Sequence, residues 1–196
     1  MIDQLNIKSK IYRISPGFDL KPQSYPKKEN FVMFVGNLNM DKVMAIGKGL
    51  DSLIEVARKI PDIEFYVVGK GKYIDNVKHD VPSNLIFTGE LFGKKLYDMY
   101  KRAAIYCQLS LSDGFGLAIA EAMASGCAIL ATTDLGQKGI IAKQKDIPAM
   151  IKGIKYLKDN PKIVEKMGRI NIELSKQFNW EKFLDEFENM YEEISA

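Results

Sequence analysis

The chain has 196 residues, 46% of them apolar and 27% charged, an ordinary globular balance that allows one sizeable core. Its net charge of +3 suits an anionic ligand but not a nucleic acid, which calls for a dense basic stripe. One histidine and two cysteines leave no ligand set for zinc, and no apolar run reaches the roughly 18 residues that would span a membrane.

The opening MIDQLNIKSK carries no apolar run of signal-peptide type, so a cytoplasmic location is expected. KIYRI (10–14) suits a short strand, followed by a loop holding Pro16, Pro22 and Pro26. FVMFVG (31–36) is a continuous apolar run ending in glycine, the pattern of a strand buried on both faces. Between Ile46 and Ile60, the residues Leu50, Leu53, Ile54 and Ala57 fall at helical spacing, which predicts one amphipathic helix stopping at Pro61. IEFYVVG (63–69), NLIFTG (84–89) and AIYCQLS (104–110) read as further strands, with helices around Tyr73–His79 and Lys94–Arg102 between them.

The stretch SDGFGLAIAEAMASGCAILAT (112–132) then supplies a loop, a helix from Leu117 to Ser125 and an apolar strand. Beyond Gly139 three helices follow, over 146–160, 161–178 and 179–194, broken at Asn160-Pro161 and Asn179. Strands alternating with helices imply an α/β fold, a parallel sheet with right-handed crossovers. Cys107 and Cys127 sit inside apolar runs and read as buried, reduced thiols; His79, in a polar stretch, reads as a surface residue.

Gly36, Gly69, Gly89 and the loop 113–116 all follow strands, so they gather at the carboxyl edge of the sheet, where open parallel sheets bind ligands. Gly114 and Gly116 feed a helix N-terminus, whose free amides and positive dipole end suit a phosphate. A tight strand-to-helix turn explains the same glycines, and spacing alone does not separate the two readings. The dinucleotide fingerprint fails at Ile119 and, for Gly69 and Gly71, at Ile74; no P-loop is present. Asp113 before the loop and Glu121 one turn into the helix bracket it, and carboxylates accept well from vicinal hydroxyls. Helix capping is the plain alternative for Asp113; for Glu121, an unpaired acid on an alanine-rich packed helix is costly unless it has a task.

DGFGLAIAEAMASGCAILAT resembles the E-x7-E signature of family 4 glycosyltransferases, E-G-F-G-L-x-x-x-E-A-M-A-x-G-x-P-V-I-A. The resemblance continues in order through ISPGFD (14–19), KGLDSLIEVARKIPDIEFYVVGKG (48–71), NLIFTGEL with the segment to Asp113, and FNWEKFLDEFENMY (178–191). It implies a Rossmann-like parallel sheet flanked by helices, the C-terminal half of a GT-B fold, with C-terminal helices. Residues 1–30 then read as an interdomain-type segment with a first short strand, and 31–196 as one nucleotide-sugar-binding domain.

By the same resemblance the chain binds a UDP-, GDP- or ADP-sugar donor and transfers the sugar, with retention, to a glycan or lipid-linked acceptor. Lys48 and Asp113 are implied as catalytic, the lysine opposing the charge of the leaving diphosphate. Gly114, Phe115, Gly116 and Leu117 meet donor sugar and phosphates, Glu121 holds the ribose, and Gly36 and Asn37 lie at the diphosphate. Gly69, Gly71, Thr88 and Gly89 stand where backbone contacts the base. Unaided by the family, Lys48 reads as a first-turn helix residue, where a cation is mildly unfavourable.

Asp113 stands where the family mostly has Glu, and Asn37 where it commonly has Arg, with Lys42 a nearby replacement cation; the passage 135–147 is shorter than usual. No metal and no cofactor are expected. A separate N-terminal domain or partner is expected to supply the acceptor site, and peripheral membrane contact is in keeping with the family. The alternatives are a non-catalytic nucleotide-sugar-binding subunit and a sugar-nucleotide epimerase-like module.

Overall fold

The structure is a computed structural model that describes residues 12, 14, 17–18, 24–37, 42–110 and 116–195, the side chains of 42–44 excepted. The chain divides into two compact units, residues 20–176 and residues 1–19 with 177–196.

In the larger unit six strands form one parallel sheet: β1 (Glu29–Val35), β2 (Glu64–Val68), β3 (Leu85–Gly89), β4 (Ala103–Gln108), β5 (Ala128–Ala131) and β6 (Gly139–Ile141). Their order is β3-β2-β1-β4-β5-β6, so the chain builds outward from β1, then crosses back to lay β4 on its other side. Among the described residues seven helices connect or follow them: α1 (Lys42–Gly47), α2 (Leu50–Lys59), α3 (Lys72–Val77), α4 (Gly93–Arg102), α5 (Leu117–Ala124), α6 (Ile147–Asp159) and α7 (Pro161–Ser175). The expected Rossmann-like α/β fold is therefore the observed one.

Alternation along the strands divides the core. Val32, Phe34, Phe65, Val67, Cys107 and Leu130 join one buried cluster with Leu50, Leu53 and Val56 of α2 and Met150, Ile154 and Leu157 of α6. The residues between them face the other way, and the Tyr106 ring there meets Tyr100 of α4, centroids 5.8 Å apart. Cys107 and Cys127 are buried free thiols, as expected, and His79 is exposed.

Two polar side chains, half-buried Lys28 and buried Asn171, tie helices to the starts of strands. The Lys28 ammonium donates to the carbonyls of Ser125 (2.7 Å) and Tyr100 (3.3 Å), at the C-terminal ends of α5 and α4, where a cation complements the dipole. Burial lowers its pKa, offset in part by the Cys127 thiol. Fully buried Asn171 of α7 donates to the carbonyls of Cys127 and Lys138 and accepts from the Lys138 amide, so its amide bridges the starts of the parallel strands β5 and β6.

Three elements differ from expectation. The helix expected over Ile46–Ile60 is two helices, α1 and α2, because Gly49 takes φ +82° and packs against β4's exit: a β-carbon there would stand 2.3 Å from the Leu109 carbonyl oxygen. Lys48 is therefore in the turn before α2 rather than in its first turn, and it also follows the C-terminal end of α1, where a cation is favoured. Strand β6 was not expected; at three residues it is too short to show a periodicity. Of the strand expected over 10–14, Tyr12 and Ile14 are described and neither is in a strand.

The smaller unit pairs Phe18 with the start of a further helix, α8 (Trp180–Ser195). The Phe18 amide donates to the Phe178 carbonyl at 2.9 Å, and Gly17 lies so close to Trp180 and Phe183 that a β-carbon would meet them at 2.8 Å.

Candidate functional site

The reversal of strand order between β1 and β4 leaves a crevice at their carboxyl ends, the place where open α/β sheets take ligands. A cleft of about 520 Å³ occupies it. Val35, Gly36 and Asn37 leave β1 along its floor, Val68 and Gly69 leave β2, and Gln108 ends β4. Lys48 enters from the turn before α2, Gly116, Leu117, Ala118 and Glu121 come from the start of α5, and Glu90, Leu91, Phe92 and Leu96 close the side next to β3.

The floor is backbone rather than side chain. Gly36 donates its amide to Val68 (3.1 Å) and Gly69 to Gly89 (2.9 Å), which carries the sheet's pairing out to the lip of the cleft.

On the α5 wall, Gly116 is the N-cap and offers no side-chain cap. Its carbonyl accepts from Ile119 and Ala120, so the amides of Leu117 and Ala118 come before the first helical acceptor and remain for a ligand. The dipole of an eight-residue helix adds positive potential at that end.

Glu121 reaches the same cleft from one turn further on, half-buried. Burial pushes its carboxyl above the usual carboxylate range, and the Tyr100 hydroxyl partly pulls it back. Gln108 is 6% exposed and held at both ends of its amide: Tyr106 donates to its oxygen at 2.7 Å, and it donates to the Ser110 hydroxyl at 3.2 Å. An ammonium, two open amides and a carboxylate thus share one crevice, a set that accommodates an anion beside a diol.

Of the residues singled out in the sequence, Gly36, Asn37, Lys48, Gly69, Gly116, Leu117 and Glu121 meet in this cleft. Gly71, Thr88 and Gly89 do not line it; the Thr88 hydroxyl is spent on the carbonyls of Val67 and Gly89. Asp113, Gly114 and Phe115 lie outside the described residues, as does the side chain of Lys42. Reading the sequence missed Gln108 and Phe92. Gln108 gave one available signal, a polar residue inside an otherwise apolar strand, whereas Phe92, 72% exposed, gave none.

Known proteins resemble the chain in sequence and in fold. The profile of the family described as "Glycosyl transferases group 1" matches residues 18–174. An uncharacterized glycosyltransferase of Methanocaldococcus jannaschii is 29% identical over 178 residues, covering 85% of this chain and 49% of the relative. A phosphatidyl-myo-inositol mannosyltransferase of Mycolicibacterium smegmatis is 30% identical over 113 residues, covering 55% of this chain and 28% of the relative. Among solved structures, S. aureus TarM in complex with Fondaparinux, α-GlcNAc-glycerol and UDP superposes with a TM-score of 0.78 at 18% identity, over 97% of this chain and 41% of that one. The chain spans about half the length, or less, of the curated relatives it matches.

Proposed function

The chain belongs to the group 1 glycosyl transferases, and on that premise we propose that its cleft binds the nucleoside-diphosphate part of a sugar donor. The observation that carries the reading is the meeting, at the sheet's switch point, of Lys48, the open amides of α5 and Glu121. Diphosphate rests against the ammonium and the amides of Leu117 and Ala118, and the ribose diol is accepted by Glu121. As the sugar departs, negative charge grows on the diphosphate where these donors already stand, which favours the transition state over the bound donor.

In this reading the chain is of the family 4 kind, a retaining transferase, and corresponds to the donor-binding C-terminal half of a GT-B enzyme. The diphosphate is neutralised by protein groups, with no metal and no cofactor. The acceptor, a glycan or a lipid-linked sugar, is held by a further domain or partner, in keeping with the phosphatidyl-inositol named for one relative. No helix among the described residues is long and apolar enough to cross a membrane, and any membrane contact is peripheral in this account.

The test is isothermal titration of the chain with UDP, GDP and ADP. One of them should bind, and Glu121→Ala should weaken it by about tenfold or more, the loss of a charged hydrogen-bond acceptor. No binding by any of the three would refute the donor site.

A further inference from the structure

Tyr100 lies in the last turn of α4 and is 1% exposed. Its main chain is held from below: the carbonyl accepts from the Lys28 ammonium and from the Cys127 thiol, at 3.3 and 3.2 Å. Its ring packs at 49° on that of Tyr106. Among the described residues its hydroxyl has no hydrogen-bond partner. A phenylalanine would fill the same space without leaving a buried donor unpaired, so packing does not account for the oxygen.

The hydroxyl points to one answer. It interacts with the carboxylate of Glu121 across the α4–α5 contact, yet not at the separation and angle of an ordinary hydrogen bond. Tyr106, the other hydroxyl beside it, already donates to Gln108. Glu121 both lines the cleft and neighbours the Tyr100 hydroxyl, on a helix that packs against α4. Hydrogen bonds in such sites are often open in the empty site and close when the ligand is present.

We propose that Tyr100 is a positioning residue for Glu121: its hydroxyl donates to one carboxylate oxygen and fixes the other to accept from a ribose diol. The inference rests on the donor-site reading above. The groups that bear on Tyr100 besides Glu121 are Tyr106 from β4 and Cys127 ahead of β5.

The experiment titrates the full chain, Tyr100→Phe, Glu121→Gln and the double variant with UDP, GDP and ADP, and with their 2′,3′-dideoxy counterparts. For whichever ribonucleotide binds, Tyr100→Phe should weaken affinity about fivefold, the size of one hydrogen bond. It should leave the dideoxy nucleotide unaffected and add nothing to Glu121→Gln. A carboxyl-detected NMR titration of Glu121 should show its midpoint move to higher pH in Tyr100→Phe, since a donor to the charged form is gone.

If Tyr100→Phe binds as the wild type while Glu121→Gln does not, the positioning role is wrong and the donor site stands. Equal weakening of ribo- and dideoxynucleotide, or an unmoved Glu121 midpoint, also overturns it. If Glu121→Gln binds normally, or no nucleotide binds, the donor site fails and takes this inference with it.

Discussion

A β-carbon on Gly69 would stand 2.0 Å from the carbonyl oxygen of Gly36, a separation that bonded chemistry alone permits. The ends of β1 and β2 therefore meet backbone to backbone at the floor of the cleft, with Gly69 at φ +141° and the Gly36 amide on Val68. Gly69→Ala should cost about 2–4 kcal/mol of stability, measured by urea unfolding, because backbone rather than a flexible side chain has to move. Gly47→Ala is the control: a β-carbon there meets nothing within 4 Å, and the change should stay within about 1 kcal/mol.

Lys48 is set in the cleft by the turn that Gly49 makes against Leu109. Lys48→Ala should lower affinity for the nucleoside diphosphate about tenfold, the worth of one charge-assisted contact, and leave affinity for the matching nucleoside alone. Stability should change by no more than about 0.5 kcal/mol, as for a side chain outside the core. Equal losses for nucleoside and diphosphate would place the lysine away from the phosphates.

Burial lifts the carboxyl of Glu121, so the folded chain holds that proton more tightly than the unfolded chain does. The native state is then favoured below pH 4.5, the group's ordinary value, and that contribution is lost as pH rises through the raised folded pKa. Glu121→Gln removes the ionisation. It should unfold at higher denaturant than wild type at neutral pH and converge with it in acid, while losing ligand affinity. A variant less stable at every pH would mean that the carboxylate is structural.

Phe92 stands at the cleft beside Glu90 and Leu91, 72% exposed, in the segment that the proposed donor site sets against the base. An exposed ring in that place is available to stack on a base. Phe92→Ala should weaken binding of the preferred nucleotide by roughly five- to tenfold, the range of one base–aromatic stack, with inorganic pyrophosphate binding unaltered.

The strands of this fold were legible because each reads as a largely apolar run, three of the four closed by glycine: 31–36, 63–69, 84–89 and 104–110 lie within a residue or two of β1 to β4. Gly49 was not, since the helical spacing of apolar residues continues straight across it and only the close approach of Leu109 demands the break. Three-residue β6 carries no period to detect. The site was legible where one local motif holds it, as with Gly116, Leu117 and Glu121. Phe92 and Gln108 belong to it only through the way the segments after β3 and β4 converge, and in the sequence Tyr100, proposed above to position Glu121, is one more aromatic on an amphipathic helix.

The most direct measurement is an amide NMR titration of the isotopically labelled chain with UDP, GDP and ADP. The account predicts saturable shifts grouped at Gly36, Asn37, Lys48, Gly69 and Gly116–Glu121, the residues around the β1–β4 switch point. A second cavity of about 420 Å³, lined by Lys28, Ala104, Pro161 and Glu165 near the strands' opposite ends, provides the contrast. Shifts grouped there, or no saturable shift at all, would contradict a donor site at the carboxyl edge.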